Sequence, residues 1–150
     1  MSTVEWQPVQ SVADIERLMS CFGGFHDSCL REAHLWTGYF VDHDLTMVCP
    51  GSLDVGLRML FQRQFREPSA IEMLFEEVTA FYLAPSSENY DAIIFEATLQ
   101  LRPNGTFYWS DTPGGVEHAI DRTWVAARRL SWRDATEWMG AQLRYGPRGQ

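Results

Sequence analysis

The chain contains no lysine, and all twelve of its basic residues are arginine. Codon bias is enough to produce that, so no function is read from it. Cysteine is scarce: Cys21, Cys29 and Cys49 form no Cys-x-x-Cys pair, and their odd number fits neither a disulfide framework nor a zinc knuckle. No apolar run approaches the ~20 residues that would span a bilayer. The opening Met-Ser-Thr-Val-Glu-Trp has neither the basic nor the apolar region of a secretion signal. A cytoplasmic, reducing location without a membrane partner is therefore expected. Gly-x-Ser-x-Gly, the P-loop and Gly-x-Gly-x-x-Gly are all missing, so no motif announces a hydrolase nucleophile or a nucleotide site. No cofactor is expected.

What is present suits one globular domain spanning 1–150. A chain of 150 residues is about the commonest domain size. Its 45% hydrophobic content, with six Trp and nine Phe, can fill a core without disulfides or a structural metal. Net charge is −8 and is unevenly spread. Positions 1–100 carry 15 acids and 5 Arg, whereas 101–150 carry 5 acids and 7 Arg. That balance opposes binding to nucleic acid and favours a basic protein partner, although ordinary solubility charge would look the same.

Along the chain, Ser11-x-x-Asp14 is a capping-box variant, and Val12, Ile15, Met19 and Phe22 follow at helical spacing before Gly23-Gly24. From there the period is two. The pattern predicts a strand over 30–39 with 44–48 as its return, a strand over 56–64, and an unbroken strand over 93–102. Pro103-Asn104-Gly105 turns that strand into 106–110. A last strand over 122–133 shows Trp124, Ala126, Leu130 and Trp132 on one side, and 133–145 is expected to end the fold as a short helix docked by Trp138, Ala141 and Leu143. Residues 70–83 are ambiguous: the stripe Ile71, Leu74, Phe75, Val78 and Tyr82 is helical, whereas the β-branched and aromatic content favours a strand, as do the neighbouring strands. The expectation is an α+β fold: a twisted antiparallel β-sheet of about six or seven strands, an N-terminal helix and a short C-terminal one.

Few residues suggest chemistry. His26 and Asp27 lie side by side in Gly24-Phe25-His26-Asp27-Ser28. In an extended segment they face opposite ways, and a catalytic group is built by convergence in space. The structural alternative has Asp27 accepting backbone N–H groups at the helix-to-strand junction and His26 bonding a neighbouring element. His26, His34 and His43 match no closed metal motif, so no metal is expected. Adjacent Glu76 and Glu77 would face opposite sides of a strand. Arg128, Arg129 and Arg133 beside Trp132 are the candidate partner-binding residues, because Arg and Trp anchor interfaces. Their bland alternative is pairing with acids of the same chain.

The strings Phe25-His26-Asp27-Ser28, Ile71-Glu72-Met73-Leu74-Phe75-Glu76-Glu77-Val78-Thr79 and Trp124-Val125-Ala126-Ala127-Arg128-Arg129-Leu130 together resemble small bacterial β-domains of immunity-protein type. Such domains are encoded beside polymorphic toxins and neutralise them. The resemblance covers scattered patches between Phe25 and Arg133. It implies a non-enzymatic binding role and tips 70–83 towards strand. The first expectation is thus a protein-binding, antitoxin-like module. The alternatives are a small metal-dependent or hydrolytic enzyme using His26 and Asp27, and a homo-oligomer that hides a sheet edge.

Overall fold

The computed structural model describes residues 4–84, 91–114 and 121–146. After a short strand β1 (Gln7–Val9) comes helix α1 (Val12–Cys21). Ser11 caps it by accepting the Asp14 N–H at 3.2 Å, while the Asp14 carboxylate accepts the Gln10 N–H at 2.9 Å. Ile15 and Leu18 form its buried stripe, continued by Phe22. No helix among the described residues is long and apolar enough to cross a membrane.

The remaining strands are β2 (Ser28–Thr37), β3 (Phe40–Val41), β4 (Met47–Val48), β5 (Val55–Arg63), β6 (Ala70–Tyr82), β7 (Ile93–Ile94), β8 (Thr98–Leu101), β9 (Phe107–Ser110) and β10 (Trp124–Asp134). All pairings are antiparallel, in the order β7-β2-β5-β6-β10-β9-β8, with β1 alongside the later half of β10. The fold is α+β, and 70–83 is indeed a strand. The first and last strands of that path, β7 and β8, are consecutive in the chain, separated by three residues. The sheet therefore curls back on itself.

Three expectations need correction. The unbroken strand over 93–102 is two strands at opposite ends of the path. The expected alternation breaks there: Ile94 is buried while Ile93 and Phe95 are exposed, and the chain leaves the sheet at Phe95–Ala97 to pass from one end to the other. The Ala97 N–H donates to Gly24 O at 2.9 Å and the Asp27 N–H to Ile94 O at 3.0 Å, which fixes the crossing. The return of β2 is β5, not 44–48. Residues 38–54 instead form an arm containing the small β3–β4 ribbon. The short C-terminal helix is a single 3-10 turn at Thr136–Trp138. Ala141 and Leu143 are exposed, and Tyr145 docks beside Trp138 instead.

The inner face of the curled sheet holds the main core. Phe25 lies at its centre, fully buried, with its ring edge-on to Phe22 and Phe61 at 5.1 and 5.0 Å and to Trp109 at 5.6 Å. Its φ of 65° is a left-handed conformation that costs a bulky residue ~1–3 kcal/mol. Burying a Phe side chain stabilises by ~1.5–3 kcal/mol, which offsets that cost. Gly23 and Gly24, also at positive φ, let the chain make this inward dive. On β10 the inner residues are Val125, Ala127, Leu130 and Trp132, whereas Trp124 lies outside against Tyr108 and Tyr82. The expected face is wrong for Trp124 and Ala126 because the alternation breaks between Ala127 and Leu130, which both face inward with the exposed Arg128 and Arg129 between them.

Candidate functional site

His26 and Asp27 are brought together, not set on opposite faces. Asp27 has φ 55°, so the segment is not extended there, and its Oδ2 lies 3.4 Å from His26 Nε2. His26 Nδ1 is 2.8 Å from Phe95 O, a contact in which the ring N–H donates to the carbonyl. The ring is also edge-on to Phe95 at 5.3 Å. Nδ1 is thus committed to the backbone, and Nε2 faces the Asp27 carboxylate at 3.4 Å with no third polar group converging on it among the described residues. The Asp27 side chain, expected to accept backbone N–H groups, faces the imidazole instead and lines a groove of about 290 Å³ with Cys29 and Arg63. Arg63 is committed there as a structural cation, donating to Pro68 O, Cys21 O and Arg66 O. Burial pushes the nearby Cys21 thiol above its ordinary pKa, the wrong direction for a nucleophile.

His34 stands mid-strand on β2 and His43 at the tip of the arm, both exposed. Among the described residues no three His, Cys, Asp or Glu side chains could hold a metal ion.

The arginine cluster does not form one surface. Trp132 points inward and is buried in the core, whereas Arg128 and Arg129 are exposed. Arg129 donates to Glu77 at 3.0 Å and to Glu76 at 3.1 Å. Glu76 and Glu77 reach one arginine, contrary to simple alternation, because Glu77 sits at φ 52° and Phe75 and Val78 both face inward. This pair is half-exposed and contributes ~0–1 kcal/mol. Arg133 belongs to a different environment.

Arg133 lies on the outer face, where its guanidinium holds Glu72 at 2.8 Å. Glu72 is fully buried, and its other oxygen accepts the Tyr145 hydroxyl at 2.5 Å. Burial, and then that hydrogen bond, raise the Tyr145 pKa well above the ordinary phenol value. Glu32 on β2 accepts the backbone N–H groups of Arg144 and Tyr145 at 2.8–2.9 Å. Gln62 donates to Trp138 O at 2.8 Å, and Arg31 to Ala141 O at 2.7 Å. Residues 135–146 are thereby strapped across β2, β5 and β6, over Leu60 and Ala70. Trp6 closes the same region, with the Arg133 guanidinium 4.3 Å and the Arg58 guanidinium 5.9 Å from its ring. Glu72, Glu32, Tyr145 and Trp6 were not singled out from sequence. Their only signal is opposite charge at outward positions of two strands, and it cannot be read without the Glu72–Arg133 register.

A pocket of about 200 Å³ is lined by Asp91, Asp111, Asp121 and Arg122 among others. Burial raises the pKa of Asp111, and its Oδ1 is buried without a partner. Among the described residues that line this pocket there is no histidine, cysteine or serine.

The arm differs from all of these. From the end of β2 through β4, Leu35, Trp36, Tyr39, Phe40, Val41, Leu45 and Met47 are each between 38% and 84% exposed. Asp42, Asp44 and Asp54 lie among them, and positions 32–57 contain no Arg or Lys. Asp42 orders the tip, its Oδ1 accepting the Asp44 and Thr46 N–H groups at 2.9 and 3.0 Å. Trp36 lies flat across Gly56, where a Cβ would come within 2.1 Å of its ring. The arrangement intersperses exposed apolar and acidic side chains and is held in shape by its own turn. No protein-family model, no curated protein and no solved structure matches the chain.

Proposed function

We propose that this chain is a non-catalytic protein-binding domain whose partner is a basic protein, and that the arm at 35–48 is its contact surface. One observation carries the reading: seven large apolar side chains within residues 35–47 are left in water. Exposed apolar patches of this kind mark interaction sites. The interspersed carboxylates give the surface a sign. With Asp42, Asp44 and Asp54 on it and a net charge of −8 behind it, a partner with a basic surface is steered in and a like-charged one is rejected. The resemblance to immunity-type domains supports the narrower form, an inhibitor that occludes a basic toxin. The dispersal of the titratable groups among the described residues, with His26 tied to Phe95 O through Nδ1, supports a role without turnover.

The test uses wild type and the Phe40→Ser/Leu45→Ser double variant as baits, at low and at moderate salt. The expected result is one identified basic protein, captured by wild type, weakened by salt and lost with the double variant. It should form the same arm-dependent complex when both components are purified. Equal binding by wild type and double variant, or no complex between purified components, overturns the reading.

A further inference from the structure

We infer that the partner is held by strand addition: an extended, basic segment of it pairs along the free edge of β2 at residues 32–37. This rests on the protein-binding reading and specifies how the contact is made.

The edge is defined by the pairing pattern. On one side, β5 pairs with β2 from Ser28 through Thr37. On the other side, β7 reaches only Ser28 and Cys29. Among the described residues no strand continues beyond that point. Exposure agrees with this: Ala33, His34, Leu35, Trp36 and Thr37 are all exposed, although Leu57 and Met59 of the adjacent β5 are completely buried.

The edge is also fit to receive a strand. The irregularity of β2 lies between Leu30 and Glu32, and pairing from Glu32 to Thr37 is regular. Six regular residues at ~3.3 Å each span about 20 Å, an ordinary strand length. Proteins blunt such edges with proline, lysine or a bulge inside the run. None of these devices occurs within 32–37. Backbone pairing would supply affinity while pockets for alternate side chains supply selectivity. On this edge Ala33 and Leu35 face the inner side and Glu32, His34 and Trp36 the outer.

Charge chooses the occupant. Asp91 lies before β7 at one end of the edge; Asp42, Asp44 and Asp54 lie at the arm end. Asp54 is close enough to the chain at Gly38 that a Cβ there would meet its carboxylate at 2.4 Å. A second copy paired antiparallel across a two-fold axis would bring the acids of one end against those of the other. A segment carrying Arg or Lys meets the same acids favourably. The edge runs directly into the apolar arm, so one ligand strand and the surface beside it would form a continuous contact.

The probe is a capped octapeptide alternating valine and arginine, compared with the same peptide N-methylated at each valine. Strand addition predicts saturable binding and slowed amide exchange within 32–37 of the full chain. It also predicts that N-methylation weakens binding by about tenfold or more, because several backbone hydrogen bonds are lost while side chains stay the same. Equal affinity for the two peptides, absence of binding, or protection confined to other strands overturns the inference. So does self-association that protects 32–37 without peptide, since a second copy would then be the occupant. If an arm-dependent partner is captured while exchange at 32–37 is unchanged, strand addition fails and the protein-binding reading stands.

Discussion

The C-terminal strap and the β3–β4 arm both leave the sheet at the end of a strand, and they treat side chains in opposite ways. The strap covers a carboxylate that is fully buried, Glu72, and supplies the Tyr145 hydroxyl to one of its oxygens while Arg133 of β10 holds the other. The arm takes side chains that gain from burial, such as Phe40 and Leu45, and leaves them 58% and 84% exposed. Burying a charge costs several kcal/mol unless it is paired and hydrogen-bonded, whereas leaving a Leu in water forgoes ~1.5–3 kcal/mol. The strap meets the needs of Glu72 and Glu32 internally, so its chemistry is spent on the fold. The arm has an unmet requirement, which is what a surface waiting for a partner looks like.

The sharpest way to break this contrast is at Glu72. Glu72→Ala leaves the Arg133 guanidinium without its carboxylate and the Tyr145 hydroxyl without its acceptor. Removing one member of a buried charge pair destabilises by ~3–5 kcal/mol, so the urea midpoint of the variant should fall steeply. Replacing Glu72 and Arg133 together by leucine should cost less than Glu72→Ala, because no buried charge is then orphaned. A loss under ~1 kcal/mol for Glu72→Ala, within the range of an exposed pair, would place Glu72 with Arg129 and its glutamates as surface decoration.

The same contrast explains what the sequence makes legible. Local patterns carry well: the Ser11 cap, the Asn104-Gly105 turn and strands β2 and β5 follow from spacing and turn chemistry within a few residues. Strand content at 70–83 is also right, because tertiary pairing between β5 and β10 outweighs its helical stripe. Failures arise wherever the answer depends on which strand lies next to which. The Glu72–Arg133 pair exists only through register. His26 and Asp27 meet only because Asp27 takes a left-handed turn that a run of residue types does not disclose. The split of 93–102 is invisible because apolar and polar residue types alternate straight through the crossing from Phe95 to Arg102, although burial does not. The arm is misread as a hairpin return because apolar residues predict burial, and here they are exposed.

Asp111 sharpens the comparison at a smaller scale. Like Glu72 it carries a buried carboxylate oxygen, but its Oδ1 has no partner. Burial raises its pKa from the ordinary 3.8, Asp121 adds to the rise, and the Thr123 hydrogen bond and Arg122 oppose it. The sign follows. The folded chain holds this proton more readily than the unfolded chain, so the contribution to stability is favourable below the unfolded pKa. It is lost as pH rises through the folded pKa. At neutral pH the charged form is therefore a liability, and Asp111→Asn should have a higher melting temperature than wild type. The gap should close as pH falls towards 3.8. A variant less stable than wild type at pH 7 would show that the Asp111 carboxylate is satisfied, and would move it to the side of Glu72.

The smallest stability effect is expected in the arm. Leu45 is 84% exposed, and Phe40 is 58% exposed on the opposite limb of the ribbon. The hydrogen bonds that shape the tip come from Asp42 and from the backbone, so neither side chain supports them. Phe40→Ser/Leu45→Ser should therefore shift the unfolding free energy by no more than ~0.5 kcal/mol, as surface substitutions do. Its solubility should rise as the apolar patch shrinks. The measurement is a denaturant titration of both proteins with matched slopes. Destabilisation on the scale of a core truncation, ~2–5 kcal/mol, would mean that Phe40 and Leu45 are held by the fold after all. The difference between arm and strap would then be one of degree, and the exposed patch would lose its claim to be kept for a partner.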